Sequence, residues 1–425
     1  MTLIKPEVFT DFDIKLQAVQ KHVFENGSVL YNYSYDLLPV AKIEFVFPAG
    51  KKYQMHPLVA HYAGKMLFEG TTKKNHQQIV SEFDLLGASV NCAVQEDFAS
   101  LYAVCLSKHV DEILKMIHHV LTDSVFPQHQ LDILTQNDKQ EFLVNSEKVS
   151  FLSKRLLFQS VFSNNHPYTR FAVSEDYDNL DPTNVKEFYD HHYGFENCKI
   201  FWTGKISKHH FKMLENMFGK QVSGKPVVEV SFGKLDEAAQ PGRYHVEKKD
   251  AKQSAIYIGK EVCSFNHPDY YKLSVANTIL GGYFGSRLMK NIREEKGYTY
   301  GIGSQVISYM DASLFIIGSQ VKAEHTEDAL NEINKEIKRL QNEPVEKDEL
   351  ELVKNYLKGT LMQSLDGPFA QTKFHSLAIQ QGRDPYEMLD EILLILNNIN
   401  TETILELSNT YLKTDELFFA IAGKI

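Results

Sequence analysis

Two residues seven positions apart, Arg293 and Tyr300, carry side chains suited to amide chemistry. A guanidinium and a phenol both donate hydrogen bonds to the negative charge that builds up on a carbonyl oxygen when its carbon is attacked in peptide cleavage. Far upstream, His61 and Lys65 stand at i and i+4, on one face of any helix that contains them, and Glu141 offers a carboxylate 76 residues beyond Lys65. No H-x-x-x-H or H-E-x-x-H spacing occurs in the chain. The pairs His118-His119, His191-His192 and His209-His210 are adjacent in sequence and cannot chelate as two imidazoles one helical turn apart do, so they are read as surface or core histidines. Cys92, Cys105, Cys198 and Cys263 show no C-x-x-C spacing, which excludes a locally encoded zinc knuckle or redox pair and points to reduced, mostly buried thiols.

A helix must present His61 and Lys65. Pro57 suits a helix opening and Gly70 a closing, which predicts a helix from Leu58 to Glu69. Its sequence, Ala60-His-Tyr-Ala-Gly-Lys-Met-Leu-Phe-Glu-Gly-Thr71, resembles the zinc helix of the inverzincin peptidases, the insulinase, pitrilysin and mitochondrial-processing-peptidase family, in which H-x-x-E-H is followed by M-x-F-x-G-T. Met66, Phe68, Gly70, Thr71 and His61 match. The resemblance continues through Leu86-Gly-Ala-Ser-Val-Asn91, similar to the family strand that accepts substrate, with Asn91 and Cys92 at its substrate-binding positions. His166-Pro-Tyr-Thr-Arg170 resembles H-P-x-x-R. Leu280-Gly-Gly-Tyr-Phe-Gly-Ser-Arg-Leu288 and Ile292-Arg-Glu-Glu-Lys-Gly-Tyr-Thr-Tyr300 resemble L-G-G-x-x-S-S-R-L and I-R-E-x-x-G-L-A-Y, and motif order is kept from about residue 20 to the end.

The metal signature is broken. Gly64 stands where the family has its general-base glutamate and Lys65 where it has its second histidine ligand. Glycine has no group to take a proton from water, and an ammonium repels a cation. His61 alone is read as a remnant, and no metal is expected in this chain. Glu141 stands at the distance of the third family ligand, so a Lys65–Glu141 ion pair in place of the metal is expected, the alternative being that both side chains are solvated.

The family resemblance implies that Arg293 and Tyr300 reach a substrate in a zinc site. With its own zinc helix degenerate, the chain is expected to act as the non-metal subunit of a two-chain peptidase. It would pair with a homologous zinc-bearing subunit and supply Arg293 and Tyr300 in trans to an unfolded peptide. The alternatives are a homodimer or an inactive structural or peptide-binding homologue, and then a self-sufficient zinc peptidase, which the missing ligands disfavour.

The rest of the chain fits a soluble scaffold for such a site. Over 425 residues, 43% are hydrophobic and 24% charged, which is ordinary globular composition. A net charge of −10 without a basic run argues against nucleic acid, and the absence of a long apolar stretch argues against membrane insertion. No secretory signal is seen at the start, so the cytoplasm is expected.

The sequence also repeats. His56-Pro57 precedes Gly70 by the same fourteen residues that separate His267-Pro268 from Gly281, an offset of 211, and Phe201-Trp-Thr-Gly-Lys-Ile206 matches Ala420-Ile-Ala-Gly-Lys-Ile425 at an offset of 219. Strand-like runs at 41–47 and 254–259, a hairpin from Ser89 to Cys105, and helical periodicity at Leu330, Ile333, Ile337 and Leu340 mix strands and helices in each half. The expected fold is therefore α+β. It has two homologous domains, each a sheet with helices on one face, at 1–218 and 243–425, joined by a linker at 219–242 in a clam-shell arrangement.

Overall fold

The structure is a computed structural model that describes residues 15–222, 224–225 and 239–424. The amino-terminal stretch in which a signal was sought, and most of the expected linker, lie outside the described residues.

The first half builds one sheet from β1 (Gln20–Val23), β2 (Val29–Tyr33), β3 (Val40–Phe47), β4 (Ser89–Val94), β5 (Ala99–Leu106) and β6 (Lys199–Thr203), in the order β1-β2-β6-β3-β5-β4. The second builds another from β7 (Gly242–Glu247), β8 (Gln253–Val262), β9 (Thr299–Ser308), β10 (Ser313–Lys322) and β11 (Phe418–Gly423), in the order β7-β11-β8-β10-β9. From β2 onward the two sheets agree strand for strand. β2 and β6 run parallel, as do β7 and β11, and the remaining neighbours are antiparallel in both. The repeat seen in the sequence is thus a repeat of topology. Its terminal match has a backbone cause: Gly204 and Gly423 both take positive φ, +130° and +135°, where the chain leaves β6 and β11.

Alternation decides which face of each strand is buried. In β3, Ile43, Phe45 and Phe47 point into the core while Lys42 and Glu44 pair with each other at 2.8 Å. Helices close the core: α1 (Val59–Lys65), α2 (His76–Leu85) and α3 (Val110–Asp123) in the first half. On α3, Val110, Ile113, Leu114, Ile117 and Leu121 form the buried stripe, with Asp111 and Glu112 in the first turn, where the helix dipole favours acids. Helix Thr326–Asn342 repeats this design in the second half with Leu330, Ile333, Ile337 and Leu340 buried and Glu327 and Asp328 leading.

The second face of each sheet is covered by the other half. Helix α5 (Val149–Phe162), which follows α4 (Gln128–Ser146), places Leu157, Phe158 and Val161 against Leu314, Ile316 and Ala420 of the second sheet, and Ser153 Oγ donates to Ala420 O at 2.8 Å. Reciprocally, helix Gly367–Gln380 packs on the outer face of the first sheet, where Tyr31, Tyr33 and Phe201 meet Ile379 and the Thr372 and Thr203 hydroxyls lie 2.7 Å apart. Helices on one face describe each half alone; in the whole molecule both faces are covered. The β9–β10 turn adds a polar tie, with Met310 N donating to Asp97 and Lys52 Nζ lying between Asp97 and Asp311 at 3.2 and 3.0 Å. Among the described residues, no helix is long and apolar enough to cross a membrane.

Candidate functional site

Helix α1 is shorter than the sequence implied. Leu58 takes a left-handed conformation (φ 73°) just before it, so the helix runs over Val59–Lys65 and not from Leu58 to Glu69, and a single 3₁₀ turn over Met66–Phe68 carries the chain on towards Gly70. Tyr62, Ala63 and Gly64 face inward, while His61 and Lys65 share the half-exposed side.

Lys65 does not pair with Glu141. Its ammonium donates to both carboxylate oxygens of Asp138, at 2.8 and 2.7 Å, and the buried Tyr62 hydroxyl donates to the same carboxylate at 2.8 Å. Glu141 lies three residues further along α4 and is exposed. One helical turn separates the two acids, and the rotation of α4 aims Asp138, not Glu141, at α1. Burial alone would push the Asp138 carboxyl up, but the nearby His61 ring, the Lys65 ammonium and the Tyr62 hydroxyl outweigh it and hold the carboxyl well below the usual carboxylate range. His61 Nε2 stands 3.7 Å from Asp138. Tyr62 is pushed far above the ordinary phenol range by burial and by its bond to Asp138.

Gly64 is more than the loss of a base. A Cβ at this position would meet Val94 Cγ2 at 2.5 Å, Cys92 Sγ at 3.1 Å and the Tyr193 hydroxyl at 3.2 Å. The space a catalytic side chain would need is filled by the strand beneath. Zinc does not fit this donor set: a fixed cation already occupies the second ligand position and is neutralised by Asp138, and among the described residues no three His, Cys, Asp or Glu side chains are placed to hold a metal ion.

Among the described residues β4 ends its sheet and pairs only with β5. Asn91 is exposed on it, whereas the Cys92 thiol turns inward beneath α1, 4.0 Å from the Tyr193 hydroxyl, where burial pushes its pKa up to about 12. The Cys92 thiol is therefore held away from the open edge of β4 and stays protonated. The other thiols, Cys105, Cys198 and Cys263, are also free.

Arg293 lies on a π-helical segment, Met289–Glu295, and Tyr300 near the start of β9. Gly297, at φ +68°, turns the chain between them, and Tyr298 N closes the turn by donating to Ile292 O at 3.0 Å. The Arg293 guanidinium stacks on the Phe284 ring with 4.7 Å to the centroid. Tyr300 is 94% exposed. Among the described residues neither the Arg293 nor the Tyr300 side chain makes an intramolecular hydrogen bond, and Arg293 is half-buried. Asp138, Tyr62 and Phe284 were not singled out by sequence reasoning; the i, i+3 spacing of Asp138 and Glu141 is the one local signal that the charge partner has a rival.

Two family models match this arrangement: Insulinase (Peptidase family M16) over residues 41–167 and Peptidase M16 inactive domain over residues 179–357. The chain belongs to the M16 peptidase family. It is 25% identical to the uncharacterized zinc protease YmxG of Bacillus subtilis over 356 residues, which is 81% of this chain and 83% of that protein. It is 22% identical to the mitochondrial-processing peptidase subunit beta of Bos taurus over 402 residues, 89% and 79% of the two chains. The fold is that of a crystallised peptidase M16 inactive domain from Pseudomonas fluorescens, with a TM-score of 0.85 at 23% identity over 96% of this chain and 98% of that one. Within the M16 family this chain is a homologue of the inactive kind.

Proposed function

We propose that this protein is the non-metal chain of a two-chain M16 peptidase. It pairs with a zinc-bearing homologue, closes the chamber around an unfolded peptide and contributes Arg293 and Tyr300 to the partner's zinc site. The observation that carries this reading is the contrast between two regions. Lys65, at the position matched to the family's second zinc ligand, is neutralised by Asp138, while the half-buried Arg293 and the exposed Tyr300 make no side-chain hydrogen bond among the described residues.

In this role Tyr300 donates to the developing oxyanion and Arg293 grips peptide carbonyls, both acting in a site that excludes water. The unpaired edge of β4, with Asn91 at its surface, suits an extended peptide added as a further strand, and that edge also favours a second reading, a peptide-binding homologue without catalytic duty. The resemblance to a peptidase subunit supports a two-chain assembly, and four free cysteines suit a reducing compartment, the cytoplasm in this reading.

The experiment is peptide hydrolysis by this chain reconstituted with a zinc-bearing homologue from the same genome. Tyr300→Phe removes one oxyanion donor and keeps the ring, and should lower kcat by about 10²–10³. Full activity of the zinc-bearing chain alone, or an unchanged rate with Tyr300→Phe, overturns the shared site and favours the binding-only reading.

A further inference from the structure

The face of the second sheet that looks towards the first half is filled only in part. Near the β9–β10 turn Ile307 and Leu314 pack with Phe158 of α5, but further along β9 the face opens as a trough of about 680 Å³ that reaches Tyr300. Glycines floor it. Gly303 and Gly318 are register partners, so one cross-strand row carries no side chain on either strand. A Cβ on Gly301 would meet nothing within 4 Å, and one on Gly303 only Gly281 O at 3.4 Å, so packing demands glycine at neither. The Tyr257 ring lies over Gly318 and bounds the trough on β8. Glycine inside a strand weakens it and recurs where another backbone comes close.

The rim is polar and unspent. Gln253 on β8, Gln305 on β9 and Gln320 on β10 are exposed and make no side-chain hydrogen bond among the described residues. A primary amide offers both a donor and an acceptor, as a peptide group requires of its partner. Charge is one-sided: Lys154 of α5 is the one charged residue that lines the trough, in a chain of net charge −10. Its exposed ammonium stands 5.9 Å from the centroid of the Phe158 ring, at the closed end, and has no ion pair among the described residues.

A chain laid along β9 from Tyr300 therefore meets amides on its way and a lone cation where the trough closes. The step from Tyr300 to Gln305 corresponds to about 16 Å of extended chain, or about five residues. An internal acidic side chain could reach Lys154, but the chain beyond it would run into Ile307 and Leu314, whereas a terminus stops there.

We infer that the trough receives the carboxyl-terminal end of a peptide, with the main chain over the glycines and the terminal carboxylate on Lys154. This narrows the substrate of the function proposed above to peptides that end within about five residues of Tyr300, and it rests on that reading for the peptide's presence at Tyr300.

The test is isothermal titration of the full chain, without a partner, with an acetylated hexapeptide of alanine, serine and one tyrosine. The free acid should bind saturably. The same peptide with a carboxyl-terminal amide should bind at least about tenfold more weakly, as expected for loss of a charged hydrogen bond. Lys154→Gln, at an exposed position, should bring the free acid down to the affinity of the amide and leave the amide unchanged. Gly301→Val raises the floor and should weaken both forms; its thermal midpoint checks that it is folded, and if it is not, the Lys154→Gln series decides. No saturable binding of the free acid, equal binding of the amide, or Lys154→Gln without effect overturns the proposal. An amidated peptide with an internal glutamate that binds as tightly as the free acid would give Lys154 to an acidic side chain and overturn the terminus. Neither a partner chain nor turnover enters the titration, so its failure is distinct from failure of the shared zinc site.

Discussion

Lys65 on α1 donates to both oxygens of Asp138 on α4. The pair neutralises the Lys65 charge and ties the two helices together with the Tyr62 hydroxyl as a third member. Asp138→Ala leaves the Lys65 ammonium and a buried phenol without their acceptor and should destabilise the chain by about 1–3 kcal/mol. Glu141→Ala, on an exposed carboxylate, should stay within about 0.5 kcal/mol of wild type. Urea unfolding of both variants measures this, and a larger loss for Glu141→Ala would contradict the geometry.

The same pair makes stability depend on acid. The folded-state pKa of Asp138 is depressed below the unfolded value of about 3.9, so its ionised form stabilises the protein above that value. The contribution is lost as pH falls from about 4 towards the depressed folded-state pKa. Asp138→Asn removes the titrating group, so the stability gap between wild type and variant should be constant from neutral pH to about 5 and shrink below about 4. A gap independent of pH down to the acid transition would assign that dependence to other carboxylates.

Gly64 should resist substitution with a sign opposite to helix propensity. In an open helix, glycine to alanine gains up to about 1 kcal/mol. Here the new methyl meets Val94 at 2.5 Å, so Gly64→Ala should lower the thermal midpoint, and Gly64→Glu should lower it further without restoring a metal site. A raised midpoint for Gly64→Ala would mean that β4 yields easily.

The strands and helical stripes were legible because they are written in local periodicity, as in Ile43, Phe45 and Phe47 or Leu330, Ile333 and Ile337. Gly204 and Gly423 could be matched in the sequence because each is needed for a positive φ at the same point of its sheet. The partner of Lys65 was not legible. Asp138 and Glu141 differ by one turn of the same helix, and only the packing of α4 against α1 selects between them. The exchange of α5 and helix Gly367–Gln380 between the sheets was equally hidden, since both helices carry weak stripes whose second side is buried by residues more than a hundred positions away.

Phe284 should prove to be a positioning residue for Arg293. Its ring is exposed, so it contributes little to the core, yet it holds the guanidinium 4.7 Å from its centroid and orders a long side chain that has no other polar anchor among the described residues. An exposed cation–π contact is worth about 0.5–1 kcal/mol, which corresponds to roughly two- to fivefold in an equilibrium constant. In the reconstituted pair, Phe284→Ala should raise KM by about that factor with little change in kcat or thermal midpoint, whereas Phe284→Tyr keeps the ring and should restore the wild-type KM. Arg293→Ala should raise KM further and also lower kcat, because a guanidinium gripping the peptide acts in both ground and transition states. If Phe284→Ala lowers the midpoint as much as it raises KM, the ring is structural and Arg293 needs no such support. If neither Phe284 nor Arg293 variants alter KM, this surface does not meet the peptide.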